Sequence, residues 1–441
     1  MASQIFFRYK YLDIPGPAIV AVNAEANAAT KQFHNTSNKI SYWNGLYLIP
    51  ILFLCVLFSL PLILVPQNDD IKLWKNRNDV SSVIGDMINY AFGFSLLQTF
   101  HLMSEFKMIF KIHSMMTFQT FTWVYMLNLL TFIILPILTA HLVWNVALGH
   151  ASVMPFNLLL FSIWLPARYI ILWVYYTKHI CENKKGRQKF KAYMYYKCWL
   201  FIYSFLRFMI SAIFKILPSE CQWVMAIVLP LNRELDHQVS KTLLSKGPGL
   251  LDESTKTLVV IRVNSLYSMH VALAIGHRAT TFTSCCILIV DLMFNLQSAY
   301  KILRLTCKIE PDHLENQKRL IKKKEELRKL CLVEVIEIVV PITYITTYLI
   351  AYHGPNAELF RGMLDRDVVT LVVPVMWMFL IDLSSGILGS ILLVTCSINL
   401  LREGCGVLKT YGPMIALQIA RQLYIVSFEN FRYFMYIAIF Y

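Results

Sequence analysis

Residues 112–167 read IHSMMTFQTFTWVYMLNLLTFIILPILTAHLVWNVALGHASVMPFNLLLFSIWLPA, and these 56 positions hold no Asp, Glu, Lys or Arg. Crossing a hydrocarbon layer about 30 Å thick takes roughly 20 apolar residues of helix, so this stretch is long enough to cross twice. Gly149-His150-Ala151 lies near its middle and predicts a turn. Backbone polar groups cannot face lipid unpaired, and the alternation of a barrel strand is missing, so the stretch predicts two transmembrane helices.

The rest of the chain has the same character. Of its 441 residues, 57% are hydrophobic and 15% are charged, which is too few charged residues for an ordinary soluble protein. Apolar runs of crossing length recur from about Trp43 to the carboxyl end. We therefore expect an all-α fold, a polytopic transmembrane bundle of about eight to ten membrane helices.

The alternation of apolar runs with charged segments divides the chain. The predicted parts are a cytosolic arm at 1–42, a first transmembrane group of about five spans at 43–217, a re-entrant or interfacial segment at 218–256, a transmembrane hairpin at 257–305, a charged cytosolic helix at 306–330 and a carboxyl-terminal transmembrane group at 331–441.

Positive charge is concentrated in two predicted loops. The formal net charge is +14, and the segments 178–197 and 301–330 together carry 11 of these charges. Basic segments beside apolar runs are typical of the cytosolic side, so both loops and the amino terminus are predicted there. The bilayer itself and anionic lipid headgroups at these loops are the expected partners. Nucleic acid is not expected, and self-association into a homo-oligomer stays open.

The region between the two basic loops is ambiguous. Residues 221–231 are apolar but too short to cross, and they continue into a polar segment that ends at Gly247-Pro248-Gly249. Spans at 198–217, 258–276 and 280–302 would give three crossings, whereas a return to the same side needs an even number. Either 221–244 also crosses, or one of the three spans lies in the interface. The tail at 413–441 likewise allows a last span or a surface helix.

Motifs of soluble and metal-dependent enzymes are missing from the sequence. The ten cysteines show no CxxC spacing, and the histidines of the apolar runs do not pair at i, i+4, so no metal site is predicted. Phosphate-binding, dinucleotide-binding and nucleophile-elbow motifs are absent too. The sequence identifies neither a cofactor nor a family.

Two aspartates are the sharpest functional candidates because each lies near the middle of an apolar run. Asp291 is followed by Asn295, and Asp382 is followed by Ser385. An ionisable group inside a span needs a partner, water or a function. A carboxylate with amide or hydroxyl groups one turn away suits a cation or a proton.

Two further charged residues extend this candidate site. Glu337 lies in the run that begins at Cys331, and Arg207 is a candidate countercharge inside the span at 198–217. We expect these groups and the two aspartates to line a polar pathway. The alternative is a structural role, in which a buried aspartate pairs with Arg207 or with hydroxyl groups to hold helices together.

These features favour a transporter or channel for an ion or small solute. A membrane receptor that couples through its basic loops is the alternative, and an integral membrane enzyme that modifies lipids comes third.

Overall fold

Long apolar runs that end at charged, Gly or Pro residues form helices in the part of the chain that the structure describes. The structure is a computed structural model, and it describes residues 53, 80–110, 118–130, 184–277, 279–307, 313–353, 368–394, 398 and 400–440. All of them belong to one unit, Leu48–Tyr441. Within these ranges the regular elements are helical, which agrees with the all-α expectation.

The helices are numbered here in chain order. They are α1 (Val80–Phe110), α2 (118–130), α3 (Lys184–Ile216), α4 (Met225–Ser245), α5 (Glu253–His277), α6 (Thr281–Cys307), α7 (His313–His353), α8 (Val368–Val394) and α9 (Leu400–Phe440). A short 3-10 helix, Ser219–Val224, joins α3 to α4.

Four of the described helices are long and apolar enough to cross a membrane, namely α5, α6, α7 and α8. The sequence predicted a span at α6, α7 and α8 and left open whether 258–276, now part of α5, crosses. A membrane protein is the conclusion that the four helices support. The larger count of eight to ten membrane helices stays a prediction. The predicted arm at 1–42, the first span apart from residue 53, and most of the 112–167 hairpin lie outside the described residues.

Two of these four helices are central and two are peripheral. α5 and α7 are mostly buried by other helices, and they pack against each other and against α8 and α9. α6 and α8 are mostly exposed along their apolar segments. Large apolar side chains such as Met293, Trp377 and Ile387 cover their outer faces. A broad exposed apolar surface of this kind suits contact with lipid.

Consecutive helices from α3 to α8 run antiparallel. Trp199 of α3 bonds to Asp236 of α4, and Tyr203 of α3 bonds to Asn232 of α4. Residue numbers therefore rise along α3 where they fall along α4. Arg262 of α5 then meets Asp236 of α4. In the same way, Asn295 and Lys301 of α6 contact Glu337 and Glu326 of α7. Glu334 of α7 meets Ser385 of α8.

One predicted boundary changes. The basic segment 178–197, expected as a loop, is helical from Lys184 and is continuous with the apolar part of α3. The reason is local, because Lys, Arg, Gln and Ala favour helix and no proline interrupts them. The charged segment before Cys331 is helical as predicted, since α7 runs unbroken from His313 to His353.

Candidate functional site

Three of the four candidate spans turn a polar face toward a common centre. Each face carries a carboxylate and a second polar group three or four residues away, a spacing that places both on one side of a helix. All six side chains are buried, and none is more than 6% exposed. They are Asp291 and Asn295 on α6, Glu334 and Glu337 on α7, and Asp382 and Ser385 on α8, and we call them the carboxylate cluster.

Three carboxylates of the cluster converge. Oxygen atoms of Asp291, Glu337 and Asp382 all lie within 4.8 Å of one another. At an effective dielectric constant of 20, two ionised carboxylates about 5 Å apart repel by roughly 3 kcal/mol. We call these three residues the carboxylate trio. Its geometry favours a positive charge or a proton between the side chains.

Hydrogen bonds link the trio to the other members of the cluster. Asn295 Nδ2 donates to Glu337 Oε2 at 2.8 Å and lies 3.4 Å from Ser385 Oγ. Ser385 Oγ in turn donates to Glu334 Oε1 at 3.4 Å. These bonds connect α6, α7 and α8 through side chains alone. They fix the relative positions of the three helices at the depth of the carboxylates.

Several carboxylate oxygens of the cluster are buried without a hydrogen-bond donor. Among the described residues, Asp382 Oδ2 and Glu334 Oε2 have neither a hydrogen bond nor an ion pair, and Glu337 Oε1 has an ion pair with Arg233 but no hydrogen bond. A buried acceptor left without a partner is unfavourable by about 1–3 kcal/mol, and by more when it is charged. The cluster therefore has the capacity to bind a further positively charged group.

Arg233 of α4 is the cation that the structure brings to the trio. Its Nη1 lies 3.4 Å from Asp291 Oδ1 and 3.5 Å from Glu337 Oε1. The side chain is 13% exposed, and its guanidinium lies over the rings of Tyr267 and Phe294, 4.3 and 5.4 Å from their centroids. Aromatic faces stabilise a guanidinium at such distances. Arg233 thus supplies one positive charge against the carboxylates.

Arg207, the countercharge proposed from the sequence, lies beside α5. Its Nη2 donates to the carbonyl oxygen of Leu266 at 2.7 Å, and its guanidinium lies over the ring of Tyr203. His270 Nδ1 lies 3.1 Å from the same carbonyl oxygen. The ion pairs of the trio come from Arg233 instead.

A second buried ion pair joins α4 to α5. Arg262 Nη2 donates to Asp236 Oδ1 at 2.7 Å and to Ser240 Oγ at 2.8 Å. The same Asp236 oxygen accepts from Trp199 Nε1 at 2.9 Å and from Ser240 Oγ at 3.0 Å. Because Asp236 follows Arg233 by three residues, α4 carries two opposite charges one turn apart, each paired with another helix.

A third buried ion pair joins α1 to α3. Lys197 Nζ contacts Glu105 Oε2, and Tyr193 OH donates to the same oxygen at 3.2 Å. His101, one turn before Glu105, lies 3.2 Å from Arg421 of α9 through Nε2 and Nη1. In this pair the positive charge of Lys197 matches the negative charge of Glu105. The carboxylate cluster differs because, within the described ranges, its four acids face one basic side chain, that of Arg233.

Sequence reasoning named five of the six residues of the cluster. Asp291, Asp382, Glu337, Asn295 and Ser385 are brought together by the fold. Whether they line a polar pathway stays a prediction.

One member of the site, Arg233, was missed. Glu334 is visible in the sequence as an ionisable group on the same side of the helix as Glu337, three residues later, but its place near the span end kept it out of the predicted site. Arg233 lies in a segment too polar for a span, so its burial against α6 and α7 could not be read from hydropathy. The expectation of no metal site rested on His and Cys spacing, which does not register carboxylates from three separate helices.

No protein-family model, curated protein or solved structure matches this chain. The function of the protein is therefore inferred from the chemistry of the carboxylate cluster and of the helices that carry it.

Proposed function

We propose that this chain is an integral membrane transporter or channel for a cation, with the carboxylate trio lining the pathway. One observation carries the proposal: Asp291, Glu337 and Asp382 lie together, buried, on helices long and apolar enough to cross a membrane. Acidic groups inside transmembrane helices are energetically unfavourable, and in many membrane proteins they mark ion or proton pathways.

Charge balance supports a cation rather than an anion. If the trio is ionised, three negative charges face one guanidinium within the part of the chain that the structure describes, that of Arg233. An uncompensated buried charge costs several kcal/mol even after relaxation. Two negative charges remain to be matched, by protons or by a positive solute. An anion would increase the excess of negative charge at the trio.

The position of the trio along the helices supports a pathway rather than a surface site. Asp291 is ten residues from Thr281, the first residue of α6, and Asp382 is twelve residues from Val394, the last residue of α8. At 1.5 Å per residue these separations are about 15 and 18 Å, close to half the thickness of the hydrocarbon layer. A solute that reaches the trio has travelled about half of the way across.

Flux through purified protein in liposomes tests the proposal. We expect wild-type protein to carry protons, monovalent cations or divalent cations down an imposed gradient, each followed by a dye for that ion. Asp291→Asn and Asp382→Asn should lower the flux at least tenfold, because each removes a negative charge from the trio with little change in shape.

Ser384→Ala is the matched control. Ser384 is exposed on α8, and its hydroxyl donates to the carbonyl of Leu380 in its own helix. This variant should keep the wild-type flux. The proposal is overturned if wild-type protein carries none of these cations, or if both aspartate variants elute as folded protein and still carry them at the wild-type rate.

A further inference from the structure

We propose that the carboxylate trio binds a hard divalent cation of the Mn²⁺, Mg²⁺ and Ca²⁺ class, and that Arg233 competes with this ion for Asp291 and Glu337. The inference deepens the proposed function and rests on it, since it names the ion that the same carboxylates would take.

The donor set selects the class of ion. The trio offers carboxylate oxygens, and Ser385 brings a hydroxyl oxygen within the same cluster. Neither His nor Cys belongs to the described cluster. Oxygen-only sites suit Mg²⁺, Mn²⁺ and Ca²⁺, whereas Zn²⁺ and copper prefer nitrogen and sulfur.

The spacing of the oxygens fits an ion. Calcium binds oxygen at about 2.3–2.6 Å, so two ligands on opposite sides of it lie about 5 Å apart, and neighbouring ligands lie closer. The three carboxylate oxygens of the trio are within 4.8 Å of one another. Small rotamer adjustments would therefore suffice to coordinate one ion with all three.

Asp382 gives a second and separate indication of a ligand. It is 2% exposed, and among the described residues its Oδ2 has no hydrogen-bond donor. Arg233 bridges the other two carboxylates, so Asp382 is the member of the trio without a described ion pair. A buried carboxylate without a countercharge among the described residues is the group expected to meet a ligand of positive charge.

Arg233 holds its two carboxylates loosely. Its Nη1 is 3.4 and 3.5 Å from Asp291 and Glu337, whereas charge-assisted N–H to carboxylate bonds usually span about 2.7–2.9 Å. A divalent ion would bind the same two carboxylates with short bonds. Its charge repels the guanidinium, which can keep its contacts with the Tyr267 and Phe294 rings while it moves away.

This competition makes an unusual prediction, namely that removal of a side chain improves binding. Arg233→Gln leaves the trio without its internal cation, so a divalent ion should bind at least tenfold more tightly than to wild type. A purely structural role for Arg233 predicts the opposite, because loss of the salt bridges would loosen α4 and weaken any site that depends on it.

Direct binding of Mn²⁺ to purified full-length protein in detergent tests the proposal, with the signal of free Mn²⁺ followed by electron paramagnetic resonance. We expect one ion per chain in wild type, displacement by Ca²⁺ or Mg²⁺ but not by Na⁺, tighter binding in Arg233→Gln, and loss of binding in Asp382→Asn. Glu234→Gln is the matched control, since Glu234 is the exposed neighbour of Arg233 and should not alter the affinity.

The outcomes separate this inference from the proposed function. Flux of protons or monovalent cations without any Mn²⁺ binding at millimolar concentration, in wild type and in Arg233→Gln, overturns the divalent site and leaves transport standing. Mn²⁺ binding without flux leaves the site and removes transport. Weaker binding in Arg233→Gln than in wild type overturns the competition, and a tenfold gain at one ion per chain requires an intact site.

Discussion

Gly386 of α8 gives the Glu334 carboxylate the space it occupies. A Cβ built on Gly386 would lie 3.0 Å from Glu334 Oε2, which is closer than nearly all real contacts of this kind. Gly389, three residues further along the same face, would place its Cβ 3.9 Å from Leu400 Cδ2, an ordinary contact. The two glycines therefore have different roles, although the sequence alone shows them as equivalent small residues that allow helices to approach.

Gly386→Ala and Gly389→Ala form a matched pair. We expect Gly386→Ala to displace the Glu334 carboxylate from Ser385 and to lower cation flux several-fold, with little change in stability. Gly389→Ala should keep the wild-type flux, and its better helix propensity, about 1 kcal/mol in soluble helices, should leave stability equal or higher. Flux in liposomes and unfolding in detergent measure both effects. Equal flux in the two variants would show that the position of Glu334 does not matter.

At the scale of the element, two oppositely charged residues of α4 form ion pairs with neighbouring helices. Arg233 pairs with Asp291 and Glu337 of the trio, and Asp236 pairs with Arg262 of α5. Pro230 lies within the same helix, so its early turns lack a backbone hydrogen bond. The position of α4 in the bundle, and therefore the position of Arg233, depends largely on these side-chain contacts.

Loss of the Asp236 carboxylate should destabilise this element strongly. Asp236→Asn leaves the Arg262 guanidinium, 5% exposed, buried without its carboxylate, and removal of one partner of such a pair costs about 3–5 kcal/mol. Glu234→Gln changes an exposed carboxylate of the same helix and should shift stability by less than about 0.5 kcal/mol. Denaturant unfolding in mixed micelles measures both. The Trp199 indole bonds to Asp236, so its fluorescence reports the same contact.

The contrary result for this pair would be equal stability of Asp236→Asn and wild type. In that case Arg262 would be satisfied by Ser240 and the Tyr196 ring, which lie within reach of it. The two variants, Asp236→Asn and Glu234→Gln, would then be equally stable.

The elements differ in how far their sequence predicts them. α5 to α8 are predictable because an apolar run of crossing length has few other stable conformations in lipid. α4 is not, because Arg233, Asp236 and Ser240 make it too polar for a span and its burial depends on partners in other helices. The same distinction applies to the site. The midspan position of Asp291 and Asp382 is visible in the sequence, but their convergence with Glu337 depends on helix packing.

At the scale of the whole molecule, both basic segments lie at the same end of the helices. Lys256 pairs with Glu325 at 3.0 Å and Lys301 pairs with Glu326 at 2.6 Å, which joins the start of α5 and the end of α6 to the charged half of α7. At this same end, a Cβ built on Gly247, between α4 and α5, would lie 3.0 Å from Ala192 Cβ in the basic part of α3.

This arrangement gives an even count of helices between the two basic segments. The apolar pattern provided three spans there, and α4 is the fourth antiparallel helix, so α3, α4, α5 and α6 bring the chain back to the end from which it left. Because basic segments beside spans are usually cytosolic, the shared end is predicted to face the cytosol. The 3-10 helix between α3 and α4 lies at the opposite end of α3.

Labelling of single cysteines in sealed membranes tests this topology. The ten native cysteines are first replaced, and the background is used only if it elutes like wild type. We expect Lys185→Cys and Lys323→Cys to react only with reagent on the cytosolic side, because the close approach of Gly247 to Ala192 and the ion pairs of α7 place both segments at one end. Ser219→Cys, in the exposed 3-10 helix, should react from the other side. If it reacts from the cytosolic side, α3 and α4 form a re-entrant pair. If Lys185→Cys and Lys323→Cys react from opposite sides, the shared basic end is wrong, and so is the cytosolic placement of one of the two segments.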